Sequence, residues 1–176
     1  GQGSAFNGCF NLVKVTFLGA DTEILPADAN GIPSSATIYG FKGSTAETYA
    51  SDYNRTFVRI TTVASGTCGE NLTWTLSDEG ELTISGTGAM NDYSSTTAPW
   101  KDYNNQIVKV TVGEGVTALW STNMSQPFNG LTQDFTISLP STLTKIDRDF
   151  NGCTNLTAVT FAKEGVLEKV DGWAFG

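Results

Sequence analysis

The sequence predicts a mainly β fold: a right-handed repeat solenoid with one short helix and a small inserted β module. Three observations support this prediction. The motif Phe-Asn-Gly-Cys occurs at residues 6–9 and again at 150–153. Several later segments alternate apolar and polar residues, as a strand with one buried face does. Only 16% of the residues are charged, and Gly, Ser, Thr and Asn are abundant, which is typical of turn-rich β structure.

The repeated motif has a period. Residues 6–17 and 150–161 share Phe-Asn-Gly-Cys, Asn-Leu and Val-Thr-Phe, and a weaker copy begins at Phe128. In that copy Leu131 replaces the cysteine. The intervals from Phe128 to Phe150 and from Phe150 to Phe175 both lie within the roughly 20–29 residues of a leucine-rich repeat. Such a segment cannot bury its apolar side alone, so neighbouring repeats are expected to stack.

Three aligned strands are predicted at 108–112, 135–139 and 157–161. We expect alternate side chains to face inward: Val110, Ile137, Val159, Val112, Leu139 and Phe161. After each strand, a loop ends in a further apolar residue, namely Leu119, Ile146 and Val170. The residues between the inward-facing ones should form outward rows, which consist of Lys109, Thr136 and Ala158, and of Thr111, Ser138 and Thr160.

The rest of the chain differs from these repeats. Ser44 and Glu47 form a capping-box pattern, followed by an apolar stripe at Ala46, Tyr49, Ala50 and Tyr53 that predicts a short helix. A strand is expected after it, at 57–60. Segments 72–76 and 82–84 flank a turn and predict a β-hairpin. We therefore divide the chain into the end of one repeat array (1–60), a small β module that starts the next array (61–106), and a second array (107–176).

Composition excludes several functions. The net charge is −8 and the ten basic residues are scattered singly, which argues against nucleic-acid binding. No apolar run approaches the roughly 20 residues that span a bilayer, so no membrane insertion is expected. The absence of histidine removes Ser-His-Asp and Cys-His catalysis and most zinc and copper sites. We expect no catalytic residues, no metal and no cofactor.

The remaining candidate sites have ordinary structural interpretations. Cys9 and Cys153 occupy the same repeat position, so both are expected to be buried, unpaired thiols. Asp21, Glu23 and Asp28 place oxygen ligands close together but match no EF-hand spacing, so a calcium site there is a weaker alternative. Trp74 and Trp100 are expected in the core of the β module. Trp120, Tyr93 and Tyr103 lie in polar loops and are expected to pack, although they could anchor a partner.

The chain resembles the BspA-type leucine-rich-repeat family of bacterial surface proteins. The resemblance rests on Ser4–Leu12, Asp149–Leu156 and Trp173–Gly176, on an array-ending unit at Thr37–Ala50, and on a β module with Ser65–Leu76, Leu82–Met90 and Pro99-Trp100. It implies an extracellular protein with a role in adhesion or in binding host protein, and it implies no catalytic residues. Because the chain starts and stops within repeat units, we expect it to be a piece of a longer protein.

We therefore predict a non-catalytic, secreted or cell-surface recognition module that binds an extracellular protein as a monomer. The alternatives are a carbohydrate-binding module and a structural spacer. The candidate binding residues are those of the outward rows, together with two loop aromatics: Lys109, Thr111, Thr136, Ser138, Thr160, Trp120 and Tyr103.

The first testable prediction is that the protein has no hydrolase activity. A glycosidase needs two carboxyl groups that face each other across the sugar, and the acidic pairs Asp78-Glu79 and Asp147/Asp149 show no such pattern in the sequence. Incubation with polysaccharide and peptide libraries should give no turnover. Turnover that disappears when one of these carboxylates is replaced by its amide would contradict the prediction.

Overall fold

The structure is a computed structural model that describes residues 5–120, 125–163, 167–170, 172, 174 and 175. The chain forms two compact units, residues 1–61 and 62–176. The division of the chain into 1–60, 61–106 and 107–176 stays a prediction.

The first unit contains a three-stranded parallel sheet. Its strands are β1 (Lys14–Thr16), β2 (Thr37–Gly40) and β3 (Phe57–Arg59), in that order. Two helices accompany the sheet, α1 (Ala27–Asn30) and α2 (Thr45–Asp52). The core of this unit consists of Ile32, Ala36, Ile38, Ala46, Tyr49 and Ala50.

Helix α2 begins where the capping pattern predicts. The Ser44 side chain accepts a hydrogen bond from the Glu47 backbone N–H, and the Glu47 carboxylate accepts one from the Gly43 N–H at 2.6 Å. The predicted apolar stripe was wrong at one position. Tyr53 follows the last residue of α2 and is 40% exposed, because the helix ends before the stripe completes its second turn.

Helix α1 is an additional short helix that the sequence interpretation did not include. Pro26 lies immediately before it, and Gly31 follows it with φ of 75°, in the left-handed region. Proline at the start and glycine after the end are the ordinary signals of helix boundaries. The single turn between them is too short to show an apolar periodicity.

The second unit is built on a six-stranded sheet in the order β12-β10-β8-β6-β5-β4. Its strands are β4 (Thr62–Gly69), β5 (Leu72–Ser77), β6 (Glu81–Gly86), β8 (Lys109–Val112), β10 (Phe135–Leu139) and β12 (Leu156–Phe161). The antiparallel pairing of β5 with β6 confirms the predicted hairpin, and β4 pairs antiparallel with β5 as a third strand; we call β4, β5 and β6 together the hairpin. Strands β6, β8, β10 and β12 are parallel.

Shorter elements follow the strands of the repeats. Strands β7 (Gly88–Ala89) and β9 (Val116–Ala118) pair with each other, as do β11 (Lys145–Ile146) and β13 (Lys169–Val170). A 3-10 helix spans Lys101–Tyr103. The unit therefore combines parallel repeat strands, a hairpin and short outer strands, which is a mainly β architecture.

The register agrees with the alignment made from the sequence. Ile137 pairs with Val110 and with Val159, and all three lie on the core side of the sheet. The predicted burial of Phe161 was wrong, since its side chain is 45% exposed. The reason is its place in the fold: β12 is an edge strand, and no described strand lies on its far side.

A column of aromatic rings joins successive repeats. Trp100 stacks on Phe128 at 5.8 Å between ring centroids, Phe128 on Phe150 at 5.9 Å, and Phe150 on Phe175 at 5.2 Å. The planes of each pair lie within 13° of parallel. The Trp100 Nε1–H donates a hydrogen bond to the Pro127 carbonyl at 3.1 Å. We call these four residues the aromatic column.

The burial of the cysteines differs from expectation fully at Cys9 and in part at Cys153. All three are free thiols; Cys68 is buried, Cys153 is half-buried, and Cys9 is exposed. The predicted burial of Cys9 was therefore wrong. Leu131 occupies the equivalent position in an interior repeat and is only 3% exposed. Cys9 precedes β1, an edge strand with a described neighbour on one side only, so its repeat is less covered.

The aromatic column should dominate the stability of the second unit. Replacing Trp100, which is fully buried, by alanine should lower the free energy of unfolding by roughly 3–5 kcal/mol. Trp100→Phe keeps a ring but leaves the Pro127 carbonyl without its donor, and should cost about 1–3 kcal/mol. Urea unfolding followed by circular dichroism measures both values. Val108→Ala, at an exposed position, is the control, and an equal effect of W100A and V108A would contradict the prediction.

Candidate functional site

The outer face of the six-stranded sheet carries an unbroken row of hydroxyl groups. At directly paired positions, each of the six strands of this sheet contributes one serine or threonine. We call this set the hydroxyl row; it consists of Ser65, Thr75, Thr83, Thr111, Ser138 and Thr160. Because adjacent strands lie about 4.8 Å apart, the row extends over roughly 24 Å.

Alternation along the strands turns this row away from the core. The positions next to Thr75 are Trp74 and Leu76, which are buried, and Thr83 lies between buried Leu82 and Ile84. In β4 the core-side position next to Ser65 is Gly66. A Cβ atom there would lie 2.8 Å from the Trp74 indole nitrogen, so glycine makes room for the tryptophan. The hydroxyl row therefore faces outward on all six strands.

The row is accessible along its length. Ser65, Thr75 and Thr160 are exposed, and Thr83, Thr111 and Ser138 are half-buried. The hairpin and the repeat strands therefore present one surface of the same chemistry.

A second row lies beside it and contains a charged pair. Glu81, Lys109, Thr136 and Ala158 occupy paired positions on β6, β8, β10 and β12. Lys109 Nζ lies 3.0 Å from Glu81 Oε1, and the Thr111 hydroxyl donates to the same oxygen at 2.7 Å. The Thr111 hydrogen bond and then the Lys109 ammonium lower the pKa of Glu81. Lys109 is thus an ion-paired residue of this face.

The structure brings together five of the seven predicted site residues and separates two. Lys109, Thr111, Thr136, Ser138 and Thr160 share the outer face of the sheet. Whether they bind a partner stays a prediction.

The two loop aromatics lie elsewhere. Tyr103 is half-buried, with its ring 6.4 Å from that of Trp74 on the core side. Trp120 follows β9, outside the six-stranded sheet, and Lys145 Nζ lies 5.1 Å from its ring centroid. Both aromatic rings are therefore packed against neighbouring side chains.

Glu81 is the residue that sequence reasoning missed. The predicted second strand of the hairpin, at 82–84, begins one residue after it. The parallel pairing of β6 with β8 places it beside Lys109 and Thr111, and a charge pattern across these two strands was the only available signal.

The two covered cysteines, Cys68 and Cys153, have unreactive thiols. Burial raises the pKa of the Cys68 thiol to about 11, and burial together with Asp149 raises the pKa of Cys153 to about 12. Both thiols are therefore protonated at neutral pH, and thiols are poor nucleophiles compared with thiolates.

Among the described residues, no three His, Cys, Asp or Glu side chains are grouped so as to hold a metal, so Asp21, Glu23 and Asp28 are not brought together. Within the same described residues, no helix has the length and apolar character needed to cross a membrane.

Asp149 is a buried carboxyl group inside the second unit. Its Oδ2 accepts a hydrogen bond from the Asp147 N–H at 2.9 Å, whereas its Oδ1 has no hydrogen-bond partner among the described residues. Burial is the main cause that raises the pKa of Asp149 from 3.8 to about 6, and the nearby Asp147 charge adds to the increase. Compared with the unfolded chain, the native state therefore favours the protonated form of Asp149 more strongly.

Comparison with known proteins supports the leucine-rich-repeat character of the chain. A leucine-rich repeat protein from Eubacterium ventriosum ATCC 27560, known from a crystal structure, is similar with 32% sequence identity and a TM-score of 0.50. The match covers 61% of this chain and 28% of the other, so this chain spans less than a third of that protein. No protein-family model matches the chain, and no curated protein is similar to it.

These findings define a class. The chain is similar to a bacterial leucine-rich repeat protein, and its fold is mainly β, with parallel strands in the repeats. This similarity supports a leucine-rich-repeat type of fold.

Asp149 leads to a prediction about pH. Because its native-state pKa is raised, its contribution to stability is complete below pH 3.8 and is lost as the pH rises through about 6. A difference of about two pK units corresponds to a decrease of ~3 kcal/mol in the free energy of unfolding. Between pH 4 and pH 7, the free energy of unfolding should decrease less in the Asp149→Asn variant than in the unchanged protein. Urea unfolding at the two pH values measures this difference. Asp134→Asn, at an exposed position, is the control. Equal decreases in the D149N variant and the unchanged protein would exclude this role.

Proposed function

We propose that this chain is a non-catalytic recognition module of a bacterial surface protein of the BspA type, and that it binds an extracellular protein. The observation that carries this proposal is the hydroxyl row, which lies on the outer face of all six strands of one sheet, with three of its members exposed and three half-buried. In this proposal the parallel strands β8, β10 and β12 belong to successive coils of a right-handed solenoid. Stacked repeats of this kind create extended surfaces that bind partners.

The chemistry of the face predicts the strength of binding. Tight protein interfaces usually depend on a few buried aromatic or arginine side chains. The paired positions of the two rows contain neither, and their one lysine is engaged by Glu81. Each contact is therefore weak, and strong attachment requires several copies acting together. Display of many copies on a cell surface provides this condition.

Protein binding is favoured over glycan binding by the position of the aromatic side chains. Sugars commonly stack on exposed aromatic rings. Tyr103 and Trp120 are half-buried and lie off the outer face, so the face offers no aromatic platform at its paired positions. The proposal accordingly places recognition in the hydroxyl row.

The test compares single and multiple copies on a protein panel beside a glycan array. Biotinylated chain should bind fibronectin, laminin or collagen weakly, and its streptavidin tetramer should bind roughly 100-fold more strongly through avidity. Ser138→Lys combined with Thr160→Lys should weaken tetramer binding at least about tenfold, because lysines interrupt the row.

The matched control is Thr87→Lys combined with Thr154→Lys, which adds the same charge at exposed positions outside the row. Binding to glycans alone, or protein binding that the row variant and the control variant reduce equally, would refute the proposed function. Retention of the β-sheet signal in circular dichroism verifies that all variants fold.

A further inference from the structure

The hairpin of the second unit is joined to the repeats by backbone pairing. Strand β6 pairs with β8 in parallel over four positions, from Glu81–Lys109 to Ile84–Val112. The core is shared as well, since Trp74 of the hairpin packs against Trp100, the first ring of the aromatic column, at 6.0 Å. The outer faces of the hairpin and the repeats are therefore parts of one sheet.

The contributions of the two parts to the hydroxyl row are equal. Ser65, Thr75 and Thr83 come from the hairpin strands, and Thr111, Ser138 and Thr160 come from the repeats. A parallel row on the hairpin, which consists of Thr67, Thr73 and Ser85, adds three more exposed hydroxyls. A partner that covers only β8 to β12 would leave half of this surface unused.

Side-chain contacts also cross the boundary between β6 and β8. The Glu81 carboxylate on β6 receives both the Lys109 ammonium and the Thr111 hydroxyl on β8. This side-chain cluster lies in the middle of the surface and orients the Thr111 hydroxyl. The boundary is thus a built part of the outer face.

The charge of the second unit indicates the kind of partner. Residues 62–176 contain thirteen Asp and Glu and six Lys and Arg, which gives this unit −7 of the chain's net charge of −8. Among the described residues of the six strands, the outer face carries one cation, Lys109, and one carboxylate, Glu81, which form an ion pair. The excess negative charge therefore comes from acidic residues outside these strands. Opposite charge accelerates association and excludes acidic competitors.

We propose that the hairpin supplies half of the binding face, and that the partner is a protein whose docking surface is basic. This inference rests on the proposed function and extends it from the repeats to the whole six-stranded sheet. The hairpin is then a part of the recognition surface in addition to being the start of the repeat array.

The test titrates the ¹⁵N-labelled full chain with lysozyme, which is basic, and with α-lactalbumin, which has the same fold but is acidic. Lysozyme should perturb the amide signals of Thr75 and Thr83 as well as those of Ser138 and Thr160. α-Lactalbumin should perturb none of them. Raising the salt concentration from about 50 to 200 mM should weaken lysozyme binding several-fold, because screening reduces the attraction.

Variants separate a local effect from a change in total charge. Thr75→Lys with Thr83→Lys, on the hairpin, should weaken lysozyme binding at least about tenfold, as should Ser138→Lys with Thr160→Lys on the repeats. The control pair T87K/T154K carries the same two added charges outside the row and should change binding less than about threefold.

Each other outcome contradicts this inference. Perturbation confined to β8–β12, or a hairpin variant that behaves like the control, would show that the hairpin is not part of the face. Perturbation spread over all acidic surfaces, or equal binding of both probes, would exclude a basic docking surface. If row-dependent binding to the protein panel persists in any of these cases, the proposed function stands and only the extension fails.

Discussion

The second unit depends on one constraint: no repeat can cover its apolar side without a neighbour. The aromatic column meets this constraint at regular steps, because each ring from Trp100 to Phe175 contacts the ring of the next repeat at 5.2–5.9 Å. The stacked rings and the parallel strands must advance together. A shift of one residue in any strand would reverse its two faces, so the column also fixes which hydroxyls face outward.

The same constraint explains why the hairpin belongs to this unit. Trp100 is the first ring of the column, and its outer side is covered by Trp74 from β5 and by Tyr93. Gly66 on β4 is needed beneath Trp74, since a Cβ atom would approach the indole to 2.8 Å. The hairpin thus covers the first repeat and continues its sheet, and both the core and the outer face cross the boundary without interruption.

Local patterns were sufficient to predict much of this fold. The Phe128, Phe150 and Phe175 spacing, the alternation of Val110 and Ile137, and the Ser44 cap are each encoded within a few residues. The errors at Cys9 and Phe161 depended on neighbours distant in sequence. Cys9 and Phe161 occupy positions that a covered repeat buries, yet both lie in repeats at sheet edges.

The candidate site was also predictable only in part. Alternation identified the outward residues of the repeats, because period two needs no knowledge of the partner strand. It could not identify Glu81, whose place beside Lys109 depends on parallel pairing between a hairpin and a repeat. Nor could it place Tyr103, since its contact with Trp74 joins residues of separate elements.

The two edges of the six-stranded sheet are unequal. Strand β4 has two register irregularities, at Thr62/Ala64 and at Thr67/Gly69. Strand β12 has one, where it begins to pair with β10 at Phe135/Thr136, and pairs regularly from there to Leu139. Irregular edges accept another strand poorly, because their free amide and carbonyl groups no longer match an extended backbone. We therefore expect lengthening of this sheet to be directional, with a further strand added beside β12 rather than beside β4.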